Sequence, residues 1–133
     1  MLPFKLCSRA GKHVDEIDGQ LKKFQKELSA GTVSLVLLAV LGQSRQPLYG
    51  YQIAKRLEQA GEGVLAGKQS ALYPVLRNLE GAGLLDSEVE PSVSGPPRRY
   101  YRITKFGREV LRAWIAAWNA SRDSVDKVLQ GEV

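Results

Sequence analysis

Four apolar residues, Leu72, Val75, Leu76 and Leu79, fall at i, i+3, i+4 and i+7 in the middle of the chain. This spacing lines one face of an α-helix. At about 100° per residue, Ser70, Pro74 and Arg77 project from the opposite face, with Tyr73 and Asn78 on its flanks. Pro74 lies near the first turn, where a missing N–H costs little, and Gly81 and Gly83 end the helix. Its outer face carries hydroxyl, guanidinium and amide groups and no carboxylate. A short helix with an apolar back and a hydrogen-bonding front suits a DNA groove, and the neighbouring segments decide whether that reading holds.

Upstream, Val14, Ile17, Leu21, Phe24 and Leu28 repeat at alternating steps of three and four, an a/d seam. The seam covers about two heptads, too short for a free coiled coil, so it is expected to pack on its own domain or on a second subunit. Gly31 is expected to end this helix and Thr32 to cap the next, whose inner face is Val33, Val36, Leu37, Val40 and Leu41. Another helix follows Leu48-Tyr49-Gly50, with Ile53, Ala54, Leu57 and Ala60 on its inner side. The glycines at 61, 63 and 67 lack phosphate-loop spacing.

Downstream the period changes. Leu85, Ser87 and Val89 alternate with Asp86, Glu88 and Glu90, and Arg99, Tyr101 and Ile103 alternate with Arg98, Tyr100 and Arg102. These are two half-buried strands around the turn formers from Pro91 to Pro97. Thr104 caps a last helix that runs past Trp118 to about Leu129. The predicted fold is mainly α with a small β-hairpin wing: a winged helix-turn-helix at 31–104, an N-terminal extension with an amphipathic helix at 1–30, and a C-terminal dimerisation helix at 105–133.

Composition narrows the function. The chain has 133 residues and a net charge of +5, which favours a polyanionic partner. Its single cysteine, Cys7, has no ligand cluster and no disulfide partner, which points to a reducing compartment. The N-terminal apolar run is short for a signal peptide. The longest apolar run, Leu35 to Leu41, is far below the ~20 residues that span a bilayer. The expectation is a soluble cytoplasmic protein with no membrane partner. His13 is the only histidine, and no nucleophilic triad, metal cluster or nucleotide loop accompanies it. No enzyme activity, metal or cofactor is expected.

Three motifs, in order, resemble one family: Leu48-Tyr-Gly-Tyr-Gln-Ile-Ala54, the Ser70 to Leu84 run, and Arg98-Arg-Tyr-Tyr-Arg-Ile-Thr-Lys-Phe-Gly107. They look like PadR-type transcriptional regulators over about residues 31–118. The resemblance implies that Tyr51, near a helix N-terminus, faces DNA. Lys68 is read as a phosphate contact. Ser70 is read as a cap that also meets a phosphate, and Gln69 or Arg77 as base readers. Tyr73 belongs to the same face. Arg98 and Arg99 follow the wing loop and suit a minor groove; the competing reading has them balance Glu88 and Glu90 across the hairpin. Strand alternation sends the two side chains to opposite faces, so one can do each job.

The last helix carries two apolar stripes, Val110, Trp114 and Ala117, and Leu111, Ile115, Trp118, Val125 and Leu129. One core needs only one stripe. The resemblance implies a homodimer built by this helix, often with the N-terminal one. Ile17, Leu21, Phe24, Leu111, Ile115, Trp118 and Val125 are the candidate contacts. Trp114 or Trp118 is a candidate wall for an aromatic or drug-like effector. The expected function is a ligand-responsive homodimeric repressor on a palindromic site in double-stranded DNA. The alternative is a winged-helix protein-interaction module without specific DNA binding.

Overall fold

The computed structural model describes residues 10–61 and 69–133. Lys68, Cys7 and the glycines at 63 and 67 lie outside them. The elements are α1 (Ala10–Gln43), β1 (Leu48–Tyr49), α2 (Gly50–Gln59), a 3-10 turn (Gln69–Ala71), α3 (Leu72–Gly81), β2 (Leu85–Glu90), β3 (Arg98–Ile103) and α4 (Lys105–Leu129). The three strands form one antiparallel sheet in the order β1-β3-β2. The fold is a winged helix, mainly helical with a small sheet, and β2 and β3 are the hairpin read from the alternation.

Leucines from every helix but α4 meet in one core: Leu37, Leu38 and Leu41 of α1, Leu57 of α2, and Leu72, Leu76 and Leu79 of α3. Ile53 joins them from α2, and the sheet contributes Leu48, Leu85, Tyr101 and Ile103. Val110, Leu111 and Trp114 of α4 pack against its edge. The apolar positions of α3 therefore face inward as their spacing predicts, and its polar side is left exposed.

Helix α3 ends as its glycines require. Gly83 takes a positive φ of 83°. Its N–H donates to the Glu80 carbonyl at 2.9 Å, and the Leu84 N–H donates to the Leu79 carbonyl at 2.9 Å. This is a Schellman turn, and the accompanying apolar contact is between the buried Leu79 and Leu84. Thr104 is tied to the same turn. Its Oγ1 donates to the Gly83 carbonyl at 2.7 Å and accepts from the Gly107 N–H at 2.9 Å. The predicted cap of the last helix thus also fixes α4 to the end of α3.

Two helix boundaries differ from the sequence reading. Gly31 does not end a helix and Thr32 does not begin one, because α1 runs unbroken through both. Thr32 Oγ1 instead donates back to the Leu28 carbonyl at 2.9 Å, the bond of a helix-interior threonine. A glycine inside a helix costs about 1 kcal/mol against alanine. Breaking the helix would leave up to four carbonyls to satisfy at one new end and four amides at the other. Helix α1 is also long and apolar enough, by length and composition, to cross a bilayer. The Leu35–Leu41 run alone had argued against that. Leu37, Leu38 and Leu41 of this helix are nevertheless the centre of the core.

Strand β1 was not anticipated. Its two residues pair with β3, Leu48 opposite Tyr101 and Tyr49 opposite Tyr100. A two-residue strand carries no period of its own and forms only beside a partner.

Candidate nucleic-acid interface

The exposed side of α3 and the wing enclose a cleft of about 570 Å³, lined by Tyr49, Gly50, Tyr73, Arg77, Glu80, Pro97, Arg98, Arg99 and Tyr101. Four of the predicted residues, Tyr73, Arg77, Arg98 and Arg99, therefore come together. Gln69 and Ser70 lie exposed in the 3-10 turn that leads into α3, at the helix N-terminus where unpaired amides favour an anion. Ser70 does not cap the helix: the residue at the cap is Ala71, with no side-chain bond. The 3-10 turn, rather than a side chain, carries the chain into the helix.

Tyr73 has a different task from its neighbours. Its ring lies against Gly50 at the start of α2, so closely that a Cβ at Gly50 would overlap the Tyr73 hydroxyl and come within 2.8 Å of Cζ. Gln69 Nε2 donates to that hydroxyl at 3.1 Å. Tyr73 is half-buried and spaces α3 from α2. Gly50 is the residue that permits the contact.

The aromatic residues around α2 form a second group. The backbone N–H of Tyr49 is capped by Gln52 Oε1 at 3.1 Å. The Tyr49 ring stacks on Tyr51 (centroids 6.4 Å apart, 21° between planes) and meets Tyr100 edge-on at 5.3 Å. The Arg98 guanidinium lies 4.6 Å from the centre of the Tyr49 ring, and Lys55 Nζ lies 5.6 Å from that of Tyr51. These cation–π contacts hold two positive groups without neutralising them. Tyr51 is 50% exposed. Tyr49, like Tyr51, stands out in the sequence because the two flank Gly50 at the start of a helix; Tyr100 and Lys55 were missed. Lys55 was the legible one, four residues after Tyr51 and hence on the same side of α2.

The wing arginines part company. The side chains of Arg98, Tyr100 and Arg102 share one sheet face with Glu90, Glu88 and Asp86, their cross-strand partners. Arg99 is opposite Val89, on the face that carries Ser87 and Tyr101. Its Nη1 donates to Ser87 Oγ at 2.9 Å, and Ser87 Oγ donates to Glu80 Oε2 at 2.7 Å. Neither arginine forms an ion pair with Glu88 or Glu90; among the described residues the single ion pair is Arg122 with Asp123. In place of the competing reading, acids balanced across the hairpin, the structure has a stacked Arg98 and a relayed Arg99.

Tyr101 forms the cleft floor and is only 2% exposed. Burial pushes its phenol above the ordinary value of 10.0; Arg99 opposes the shift and Glu80 reinforces it. A raised folded-state value means the native state holds the proton more tightly than the unfolded chain. Its contribution is present below pH 10 and is lost as pH rises through the folded value. Stability is expected to fall above pH 10, and Tyr101→Phe to flatten that fall. Urea melts at pH 9 and pH 11 measure it; an equal alkaline loss in both proteins would rule Tyr101 out.

On the other side of the molecule the apolar seam of α1 stands uncovered. Val14, Ile17, Leu21, Phe24 and Leu28 are 47–58% exposed. On α4, Ile115 and Trp118 are 42% and 40% exposed and Val125 is 55% exposed. Leu111, placed in the same stripe, instead packs at the core edge against Gly42. A cavity of about 340 Å³ opens between the two helices, walled by Gly31, Thr32, Ser34 and Leu35 of α1 and by Trp114, Ala117, Trp118 and Ser121 of α4. Both candidate effector tryptophans line it.

Comparison with known proteins agrees with this fold. Residues 37–113 match the family model described as "Transcriptional regulator PadR-like family". Among solved structures, the chain is similar to a PadR family transcriptional regulator from Eggerthella lenta, with 38% identity, a TM-score of 0.71, and coverage of 86% of this chain and 96% of that one. It is also similar to a PadR-like transcriptional regulator from Bacillus cereus, at 26% identity and a TM-score of 0.64, covering 78% of this chain and 97% of that one. A PadR-like transcription factor from Bacteroides fragilis gives 27% identity and a TM-score of 0.61, with 85% of this chain and 98% of that one covered.

Proposed function

Because the chain belongs to the PadR-like family of transcriptional regulators, we propose that it is a cytoplasmic, homodimeric repressor. Each copy lays α3 in a major groove of double-stranded DNA, with its wing beside it. The observation that carries this reading is the cleft itself. Arg77 of α3 and Arg98 of the wing share its rim, with Glu80 of α3 beside them, next to a helix whose apolar back is buried and whose polar front is exposed. Tyr51, Lys55, Gln69 and Ser70 extend the same surface toward the backbone, where hydroxyl, amide and ammonium donors serve phosphates. Lys68, immediately before the 3-10 turn in sequence, is assigned to a phosphate as well.

Dimerisation through the bare faces of α1 and α4, with Ile17, Leu21, Phe24, Ile115, Trp118 and Val125 as contacts and Leu111 at their margin, gives a two-fold reader for a palindromic site. The cavity beside Trp114 and Trp118 supports an aromatic or drug-like effector. It lies between the helices that would join the copies, so a bound ring changes their angle. An effector acts only to the extent that it binds one dimer geometry better than the other.

Fluorescence anisotropy on labelled duplex DNA over a potassium chloride series tests the proposal. Affinity is expected to fall steeply with salt, because each neutralised phosphate releases counterions. Arg98→Ala is expected to lower the log–log slope by about 0.9, the value of one phosphate contact. Binding without salt dependence, or no binding to any duplex, would leave a protein-interaction module as the reading. Quenching of tryptophan fluorescence by planar aromatic compounds, with release of DNA, tests the effector arm.

A further inference from the structure

We propose that Glu80, Ser87 and Arg99 form a strut that sets the angle between the recognition helix and the wing, and that Arg99 is a positioning residue, not a phosphate contact. The inference rests on the DNA-binding reading of the cleft and assigns its parts. Three elements meet in the strut: Glu80 in the last turn of α3, Ser87 in β2 and Arg99 in β3. The proton order is fixed by chemistry, since a guanidinium only donates and a carboxylate only accepts. Arg99 Nη1 therefore donates to Ser87 Oγ at 2.9 Å. The serine hydroxyl passes its own proton on to Glu80 Oε2 at 2.7 Å. Bonds to charged groups at both ends are stronger than neutral ones, and the serine between them cannot be replaced by a residue lacking a hydroxyl.

The cross-strand register explains why Arg99 is available. It is opposite Val89, while Ser87 is opposite Tyr101, so Arg99 reaches diagonally along the sheet, back toward the helix. A diagonal neighbour is within reach of a long side chain. Its charge is thereby committed to a carboxylate of its own chain. Arg98, one residue earlier and on the other face, is held over the Tyr49 ring at 4.6 Å and keeps its charge. Two adjacent arginines with the same composition signal thus have separate jobs, one to hold the wing and one to meet an anion.

Two measurements test the strut and separate its failure from that of the DNA reading. The first uses a duplex selected by the wild-type protein from a randomised pool, titrated with potassium chloride. Ser87→Ala and Arg99→Ala are expected to weaken binding several-fold while changing the salt slope by less than half of the roughly 0.9 expected for Arg98→Ala. Ser87→Thr, which keeps the hydroxyl, is expected to restore wild-type affinity. An Arg99→Ala slope reduced as far as that of Arg98→Ala would overturn the assignment. The second uses no DNA. Spin labels at Asn78→Cys and Val93→Cys, in a Cys7→Ser background, report the distance from helix to wing. Ser87→Ala is expected to broaden that distribution and Ser87→Thr to leave it narrow. An unchanged distribution in Ser87→Ala would overturn the strut even if DNA binds; a broadened one supports it even if no duplex is ever selected.

Discussion

Gly107→Ala is expected to lower stability by about 3 kcal/mol or more, because the new methyl group has nowhere to go. A Cβ at that position would overlap the Leu84 carbonyl oxygen, and it would come within 2.8 Å of Ile103 Cγ1 and 3.0 Å of the Leu84 carbonyl carbon. Two of these three atoms are backbone. Leu84 closes the Schellman turn of α3 and gives its carbonyl to the Thr104 N–H at 3.1 Å. Relief of the clash must therefore shift α4, the end of α3 or the start of the sheet. Alanine is otherwise the better helix former by about 1 kcal/mol, so any loss measures the contact. Gly19→Ala is the control: Gly19 is exposed inside α1 with nothing within 4 Å of a built Cβ, and it is expected to raise stability by ~0.5–1 kcal/mol. Thermal melts by circular dichroism compare the two. A Gly107→Ala protein as stable as wild type would show that the junction can open without cost.

The second large effect is on assembly. A protein carrying both Leu21→Asp and Ile115→Asp is expected to be folded and monomeric. Leu21 is 49% exposed and Ile115 42% exposed, so neither change places a carboxylate in the core of one copy. At an interface between two copies, each would bury an unpaired charge, which costs several kcal/mol. Five half-exposed side chains on α1 fall short of the ~800 Å² per partner that a stable complex buries. The proposed dimer therefore needs the α4 face as well. Light scattering reads the mass. DNA affinity is expected to drop by about 10²-fold or more, because two tethered half-site readers lose their avidity when separated. A doubly substituted protein that stays dimeric would remove both faces from the interface.

Much of the fold was legible because it rests on period. The step pattern of Leu72, Val75, Leu76 and Leu79 put the right face of α3 inward. The alternation around Tyr101 and Ile103 gave β3 its limits, and Thr104 marked the start of α4. Local signals failed at two places. Gly31 and Thr32 form a plausible helix break when read alone, yet α1 runs through both and Thr32 bonds back to the Leu28 carbonyl. Leu48 and Tyr49 became a strand only because β3 lies beside them.

The site was legible as a region and not as a set of roles. Tyr73 reads as a groove-facing residue from its place on the helix, but Gly50 is the neighbour that draws it inward. Arg98 and Arg99 are adjacent and chemically identical. Their division was anticipated only as a consequence of strand alternation, and its partners, Tyr49 and the Ser87–Glu80 pair, were out of reach of sequence.

The sequence by itself determined the order of recognition helix, hairpin and last helix, the inward faces of α3 and the sheet, and the excess of apolar surface on α1 and α4; it did not show that Glu80 joins Arg77 in the cleft. Those properties follow from spacing along one chain, and a helix or strand imposes its period wherever it lies. The tertiary structure decided which polar residues on the outer face of α3 remain available. That choice depends on contacts of a few ångströms between segments far apart in sequence: Gly50 against Tyr73, Tyr49 beneath Arg98, and Glu80 joined through Ser87 to Arg99.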